Sequence, residues 1–481
     1  MPQMKTVRIP FPPAVLITLI LVSILLLLAY LIAPETIRIA LLACGALAMA
    51  LVAFTSVELT IHMLILSTLL GPEVIVGSEA VAGAGSSRGF TLRLDDILLT
   101  IIGLTWLFRM ALTKELGVIR RTPINQPIGW YLMISLVATM IGMFSGRVSA
   151  FGFFFVLKYL EYFVIFYMIV NQVHDEESIK RYIWVMLFTC FAVSLFGIAQ
   201  IPGGERVSAP FEGETGEPNT FGGYLVLMFS VATGIFMYNK ERRLRLILGV
   251  ICVCALVALA FTESRSSYLA FVGAIGMFMI FLEQKRLFIA IMIVGLILSP
   301  VVMPGNVIDR VMYTFTQAKE GGQIQVGDVR IDTSTSERLN SWKDAFETDF
   351  IKHPLLGVGV TGGRFLDAQY PRVLTESGIL GFVAFIWFLR RVWVLLRQSC
   401  NELSDPILKG VAVGTLCGYG GLLLHAIGAN TFIIVRVMEP FMILMGLILG
   451  ALLIEKQKSS EQQAKALEKS GADFRAPQPK R

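Results

Sequence analysis

An arginine lies in a short polar stretch between two long apolar runs of the chain. The runs are Leu246–Phe261 and Tyr268–Phe281, and only six residues, Thr262 to Ser267, separate them, with Arg265 among them. This link is too short for a solvated loop, so Arg265 is expected where protein, membrane and water meet. An ionisable group at such a depth is a functional candidate by default.

A second arginine lies in the longest hydrophilic insert, residues 304–371. The spacing of Ser334 and Glu337 is that of a capping box. The apolar residues that follow, up to Phe350, fall on one helical face. The insert therefore predicts an amphipathic helix whose apolar face rests on the membrane domain. Arg338 is in its first turn, where a cation opposes the helix dipole. It is either part of an anion-binding surface with the helix amides or a solvated surface arginine.

Four further polar residues are candidate substrate contacts. Asn219 can orient sugar hydroxyls, with a turn role as the alternative. Glu376 begins a helix at the membrane interface, where hydrogen bonding to substrate competes with simple capping. Arg436 can help to hold a lipid phosphate, or can pair with Glu439 three residues later. Arg364, in the hydrophilic insert, completes the predicted set.

The composition identifies the class of protein that must position these residues. Of the 481 residues 55% are hydrophobic and 16% are charged, which is typical of a polytopic membrane protein. Alternating barrel-type strand patterns are absent, so the fold class predicted is all-α, with about 12–14 transmembrane helices and one large outer helical loop. The net charge of +6 is small for this length and indicates membrane anchoring, with no nucleic-acid partner.

Basic residues in alternate links predict the orientation. Lys and Arg recur in the links that would face the cytoplasm, so both termini are predicted inside and residues 304–371 outside. No inner link is large enough for a nucleotide-binding domain, and no phosphate-binding glycine–lysine motif is present. Any reaction therefore occurs on the outer side, driven by an activated substrate in the membrane or by an ion gradient.

Hydropathy divides the chain into five segments. Residues 1–200 are N-terminal transmembrane helices, residues 201–303 are a transmembrane core with the outward arginine, and residues 304–371 are the large outer loop. Residues 372–454 are C-terminal transmembrane helices, and residues 455–481 are a disordered cytoplasmic tail. The predicted spans include 14–33 and 37–55.

An ordered set of short motifs resembles one family. The motifs are Glu217-Pro218-Asn219-Thr220-Phe221-Gly222-Gly223-Tyr224, Ser264-Arg265-Ser266-Ser267, Arg338-x-x-x-Trp342, His353-Pro354-Leu355-Leu356-Gly357-x-Gly359 and Glu376-x-Gly378-x-x-Gly381. In this order, over roughly residues 200–400, they resemble the O-antigen ligase and O-antigen polymerase-like family. These bacterial enzymes move lipid-linked glycans on the outer side of the cytoplasmic membrane.

The resemblance implies glycosyl transfer from a polyprenyl-pyrophosphate-linked oligosaccharide to a glycan or lipid acceptor, without metal or cofactor. Arg265 and Arg338 would then hold the pyrophosphate leaving group. Ligase members carry a His-Asn pair about nine residues before the glutamate, whereas this chain has Asp367 followed by Ala368. An aspartate can accept the proton of an attacking hydroxyl, and this departure favours a polymerase or a related exopolysaccharide transferase over a lipid A–core ligase.

Two other classes of function remain open from the sequence. A transporter or flippase of lipid-linked sugars would suit the number of spans, but it predicts charged residues through the full thickness of the membrane. A non-catalytic scaffold for envelope glycan assembly predicts that both arginines can be replaced.

Overall fold

The computed structural model describes residues 56–71, 73–76, 90–93, 98–104, 121–212, 216–290 and 333–469, with isolated positions between these ranges. Helices dominate the part described. They are α1 (Val57–Leu70), α2 (Asn125–Phe144), α3 (Ala150–Gln172), α4 (Glu176–Gln200), α5 (Pro218–Tyr238), α6 (Arg242–Phe261), α7 (Arg265–Phe281), α8 (Thr333–Ala345), α9 (Gln369–Glu402), α10 (Pro406–His425) and α11 (Val435–Lys469). Two short antiparallel pairs join β1 (Glu73–Val76) to β2 (Phe90–Arg93) and β3 (Gln325–Val326) to β4 (Val329–Arg330).

Eight of the described helices are long and apolar enough to cross a membrane, namely α2, α3, α4, α5, α6, α9, α10 and α11. The helices α1 and α7 are apolar but shorter. The predicted fold class, an all-α polytopic membrane protein, is confirmed. The predicted spans 14–33 and 37–55 lie outside the described residues, so the total of about 12–14 spans stays a prediction.

The core of the bundle is the contact between α5 and α10. Almost every residue of α5 is buried. Glycines on both helices let the two backbones approach closely: a Cβ atom at Gly414 would lie 2.7 Å from the Cα of Val231, and one at Gly410 would lie 2.8 Å from the carbonyl oxygen of Gly234. Small residues at helix contacts are how membrane helices gain packing without a hydrophobic driving force. The rigid α5–α10 pair supports the residues at one end of the bundle.

The opposite end of the bundle is fastened by ion pairs. Lysine and carboxylate side chains join neighbouring helix ends at Lys458–Glu176 (2.8 Å), Lys409–Glu283 (2.8 Å) and Lys456–Glu402 (3.1 Å). Two of these pairs involve residues beyond 455, and α11 continues as helix to Lys469. The helix thus extends past residue 455 into the segment predicted as a tail, and the disorder of the residues after Lys469 stays a prediction.

The helix α9 is broken at Gly378, whose φ of 65° and ψ of −169° are not helical. A break inside an apolar segment leaves backbone groups that lipid cannot satisfy. The loop 353–362 satisfies them. Val358 N and Gly359 N donate to the carbonyl oxygens of Thr375 (3.0 Å) and Glu376 (2.9 Å). On the other side of the break, Ile379 N donates to the carbonyl of Pro354 at 2.8 Å.

Candidate functional site

The side chains of Arg338 and Asp367 form an ion pair at the end of the bundle opposite the lysine pairs. Arg338 Nη2 donates to Asp367 Oδ2 at 2.9 Å, and the two side chains are 35% and 37% exposed. Arg338 belongs to α8, which begins at Thr333, so it lies in the second turn and not in the first turn as predicted. Asp367 immediately precedes α9. The pair thus joins the hydrophilic insert to the re-entry into the membrane domain.

The surroundings of Asp367 perturb its acidity. Burial raises the pKa of the Asp367 carboxyl above its ordinary value, and the negative charge of Glu217 raises it further. The guanidinium of Arg338 opposes this by charge and by hydrogen bonding, and Arg372 also opposes it. The net direction is upward, which makes Asp367 a stronger proton acceptor than a solvated aspartate.

Arg265 is the first residue of α7, and the side chain of Ser264 caps that helix. Ser264 Oγ accepts from Ser267 N at 3.2 Å and donates to Asn219 Oδ1 at 2.7 Å. Asn219 is in the first turn of α5. Hence the N-termini of α5 and α7, which carry two predicted site residues, are joined by one side-chain hydrogen bond.

The Asn219–Ser264 hydrogen bond is the first in a series of side-chain hydrogen bonds that reaches α10. Asn219 Oδ1 can only accept, so the Ser264 hydroxyl proton is used there. Ser267 Oγ in turn donates to Ser264 Oγ at 2.8 Å. With this donor direction, the contact of 3.3 Å between Ser267 Oγ and His425 Nε2 suits the tautomer with its proton on Nε2. His425 Nδ1 lies 2.7 Å from Thr431 Oγ1, which lies 3.5 Å from the carbonyl oxygen of Ala429.

The link between α10 and α11, residues 426–434, contacts both arginine-bearing elements. Ser266 Oγ donates to the carbonyl oxygen of Gly428 at 3.0 Å. A Cβ atom at Gly428 would lie 2.6 Å from Ser266 Oγ and 3.6 Å from Arg338 Nη1. Arg338 therefore lies beside the same glycine that contacts the residue after Arg265. The glycine leaves room for the guanidinium to approach the start of α7.

The same link also forms hydrogen bonds with the residues on either side of Asp367. Asn430 Nδ2 donates to the carbonyl of Leu366 at 2.8 Å, and Phe432 N donates to Gln369 Oε1 at 2.9 Å. The 426–434 link thus orders the segment that carries Asp367. Arg338, Asp367 and the N-termini holding Arg265 and Asn219 are brought to one end of the bundle by these contacts.

Two more of the predicted substrate contacts, Glu376 and Arg364, have structural partners in the protein itself. Glu376 is buried and its Oε1 accepts from Arg372 Nε at 3.0 Å and from Thr361 N at 3.1 Å, which fastens the loop 353–362 to α9. Arg364 Nη1 pairs with Asp344 Oδ2 at 2.8 Å on an exposed surface. Their predicted roles in substrate binding stay predictions.

Arg436 is buried and contacts the link before α5. It donates to the carbonyl oxygens of Pro210 (2.9 Å) and Phe211 (3.0 Å), and Glu212 Oε1 lies 3.6 Å from its Nη1. Glu212 in turn accepts from Glu217 N at 2.8 Å, two residues before Asn219. These contacts favour a role for Arg436 in holding the start of α5 over the predicted role in holding a lipid phosphate, which stays a prediction.

The sequence analysis assigns no role to the serines around Arg265. The spacing Ser264-x-x-Ser267 at a helix start is a capping signal that was available, but nothing in the sequence shows that His425 lies opposite Ser267. The roles of Asn430 and Gln369 likewise depend on a link between distant helices, which no local pattern encodes.

Comparison with known families agrees with this arrangement. Residues 250–377 match the family model described as O-antigen ligase. This region of the chain is similar to O-antigen ligases. The matched segment contains Arg265, Arg338, Arg364, Asp367 and Glu376, and the family resemblance predicted from the motifs is confirmed. The match supports O-antigen ligase-type membrane glycan ligation in the broad sense. No curated protein matches the chain.

Proposed function

We propose that the protein transfers a glycan from a polyprenyl-diphosphate donor to a sugar or lipid hydroxyl. The observation that supports this is the 426–434 link, whose Gly428 contacts both Ser266, next to Arg265, and Arg338. Two permanently charged guanidinium groups on elements held by one link suit a diphosphate group, because each can pair with two of its oxygens.

The transfer breaks the bond between the anomeric carbon and the diphosphate oxygen. The acceptor oxygen forms the new bond to that carbon, and its proton passes to the carboxylate of Asp367. Arg265 and Arg338 stabilise the negative charge that develops on the departing diphosphate. The ion pair between Arg338 and Asp367 couples these two tasks: a bound diphosphate competes for Arg338 and leaves Asp367 with a free carboxylate. The guanidinium groups supply the charge stabilisation, so the proposed reaction needs no metal ion.

Within this reaction class we favour chain elongation over transfer to lipid A–core. Asp367 occupies the position at which ligase members carry histidine. The Asp367 carboxylate, whose pKa is raised and which lies beside Arg338, can accept the proton in place of that histidine. The choice of acceptor distinguishes the two activities: a polymerase takes a second lipid-linked repeat unit, and a ligase takes a lipid-anchored core glycan.

Turnover of defined lipid-linked donors by the purified protein tests the proposal. We expect Arg265→Ala and Arg338→Ala to abolish product and Arg338→Lys to restore it in part, because lysine keeps the charge and loses the fork. Arg243→Ala is the matched control, since Arg243 is an exposed arginine in the first turn of α6, at the other end of the bundle. Full turnover by correctly inserted alanine variants of both arginines would refute the assignment.

The alternative class, a flippase of lipid-linked oligosaccharides, predicts no product from a detergent-solubilised protein without an ion gradient. Its expected charged lining through the whole membrane thickness has no counterpart in α5, the central described helix, which carries no charged side chain between Pro218 and Tyr238. Product formed in detergent, with EDTA present, would support the metal-independent transferase and exclude the flippase.

A further inference from the structure

The hydrophilic insert exposes an unusual run of large apolar side chains just after α8. The chain makes a π-helical turn over Phe346–Phe350 and continues to Leu355. Phe346 and Phe350 stack with ring centroids 4.9 Å apart. Ile351 is 58% exposed and Leu355 is 63% exposed. Large apolar side chains that are exposed close together favour contact with an apolar environment over contact with water.

The backbone of this segment is fastened directly to a membrane helix. Ile379 N donates to the carbonyl of Pro354 at 2.8 Å, and Leu380 N donates to the carbonyl of Leu355 at 3.3 Å. The side chains of Ile379, Leu380 and Val383 are exposed on α9, a helix long and apolar enough to span the membrane. Leu355 thus continues the lipid-facing surface of α9.

The length of α9 indicates how deep this junction lies. Arg390 is exposed and stands only eleven residues beyond Ile379. Eleven helical residues rise about 17 Å, which is well short of the roughly 30 Å of a hydrocarbon core. Even Arg397 lies only about 27 Å from Ile379 along the helix. If either arginine marks the far interface, Ile379 and the bonded Leu355 lie within the near leaflet.

We propose that the apolar side chains of residues 346–355, here called the dipping segment, insert into the membrane leaflet on the side of the Arg338–Asp367 pair, while the charged side chains of Glu347 and Lys352 stay at its polar rim. The partner is the acyl-chain region of the lipid bilayer itself. Lys343 precedes the segment and Lys352 lies within it; both are exposed, and their long side chains can reach the lipid phosphates at the rim of that leaflet. The segment follows Arg338 by eight residues, so its insertion sets the height of Arg338 above the acyl chains.

The dipping segment can be tested without any assay of activity. Single cysteines replace Ile351, Leu355 and, as the matched control, Glu347, whose side chain is 57% exposed in the same turn region. Each full-length variant carries a bimane label in liposomes, and quenching by nitroxide-labelled phospholipid is compared with quenching by aqueous iodide. The unsubstituted protein gives the background from native cysteines.

We expect labels at 351 and 355 to be quenched by the nitroxide lipid and to lose iodide quenching, while the label at 347 remains open to iodide. Iodide quenching at 351 and 355 equal to that at 347 would overturn the inference, because the segment would then lie in water. Protection of both positions from both quenchers would also overturn it, since protein, such as a second copy of the chain, would then cover the segment.

Discussion

At the scale of single residues, His425 shows how a buried network can serve an exposed charge. Its ring is fully buried, and the absence of a side chain at Gly223 gives it space, since a Cβ there would lie 3.1 Å from His425 Cε1. The donor direction along Asn219, Ser264 and Ser267 suits a proton on Nε2. His425 therefore acts on the helix that begins with Arg265, as a positioning residue.

Substitutions of His425 can show whether its Nε2–H is needed as a hydrogen-bond donor or whether the ring only fills space. Glutamine places an amide N–H near the Nε2 position, whereas asparagine reaches only the Nδ1 position. We expect His425→Gln to keep most activity and His425→Asn to lower kcat by about tenfold, which corresponds to about 1.4 kcal/mol. Because the proposed role of Arg265 is at the leaving group, kcat should change more than KM. Equal kinetics of the two variants at equal folded yield would contradict the assigned tautomer.

The pH dependence of turnover reports on Asp367. If Asp367 accepts the proton, kcat/KM falls as the pH is lowered through its pKa, which burial places above the ordinary carboxyl value. Since Arg338 lowers that pKa, Arg338→Gln should shift the acidic limb of the residual activity to higher pH, and Arg338→Lys should shift it less. Rates measured across a pH series check this. An acidic limb that persists unchanged in Asp367→Asn would assign it to another group.

At the scale of elements, the broken helix α9 depends on a glycine. Gly378 has a positive φ, and a Cβ atom there would clash with the carbonyl group of Leu355. We expect Gly378→Ala to destabilise the protein by about 1–3 kcal/mol, as strained backbone positions do. The midpoint of thermal unfolding in detergent measures the change.

Gly276→Ala is the control for this substitution. Gly276 is in the middle of α7, and a Cβ atom there has no neighbour within 4 Å. Alanine is a better helix former than glycine, so this variant should be neutral or slightly more stable. Equal unfolding midpoints for the two variants would show that the α9 break tolerates a side chain.

Some helices of the fold can be predicted from sequence patterns, whereas the break in α9 and several tertiary contacts cannot. Apolar runs predict α6 and α7 well, because membrane helices satisfy their own backbone and need only the right length. The break at Gly378 has no such local signal, since its stability comes from loop carbonyls more than twenty residues earlier. Arg436 is similar: an i,i+3 partner at Glu439 is visible in the sequence, whereas its contacts with Pro210 and Phe211 are set by tertiary packing.

At the scale of the whole molecule, the two ends of the bundle differ in chemistry. One end carries the lysine pairs to Glu176, Glu283 and Glu402. The other end carries the Arg338–Asp367 pair and the start of α7. Lysine and arginine accumulate in short links on the cytoplasmic side of membrane proteins. This asymmetry favours an orientation in which the candidate site faces outward, toward lipid-linked glycans that have already crossed the membrane.

Cysteine labelling in intact cells decides this orientation. Glu205 is exposed in the link where Arg206 Nε donates to the carbonyl of Thr262 at 3.0 Å, so it marks the end of the bundle that bears Arg265. Gln462 is exposed near the end of α11 and marks the opposite end. With a membrane-impermeant maleimide, we expect Glu205→Cys to react in intact spheroplasts and Gln462→Cys to react only after lysis. The reverse pattern would place the site in the cytosol, where the reaction would have to precede export of the glycan and the outward-facing proposal would fail.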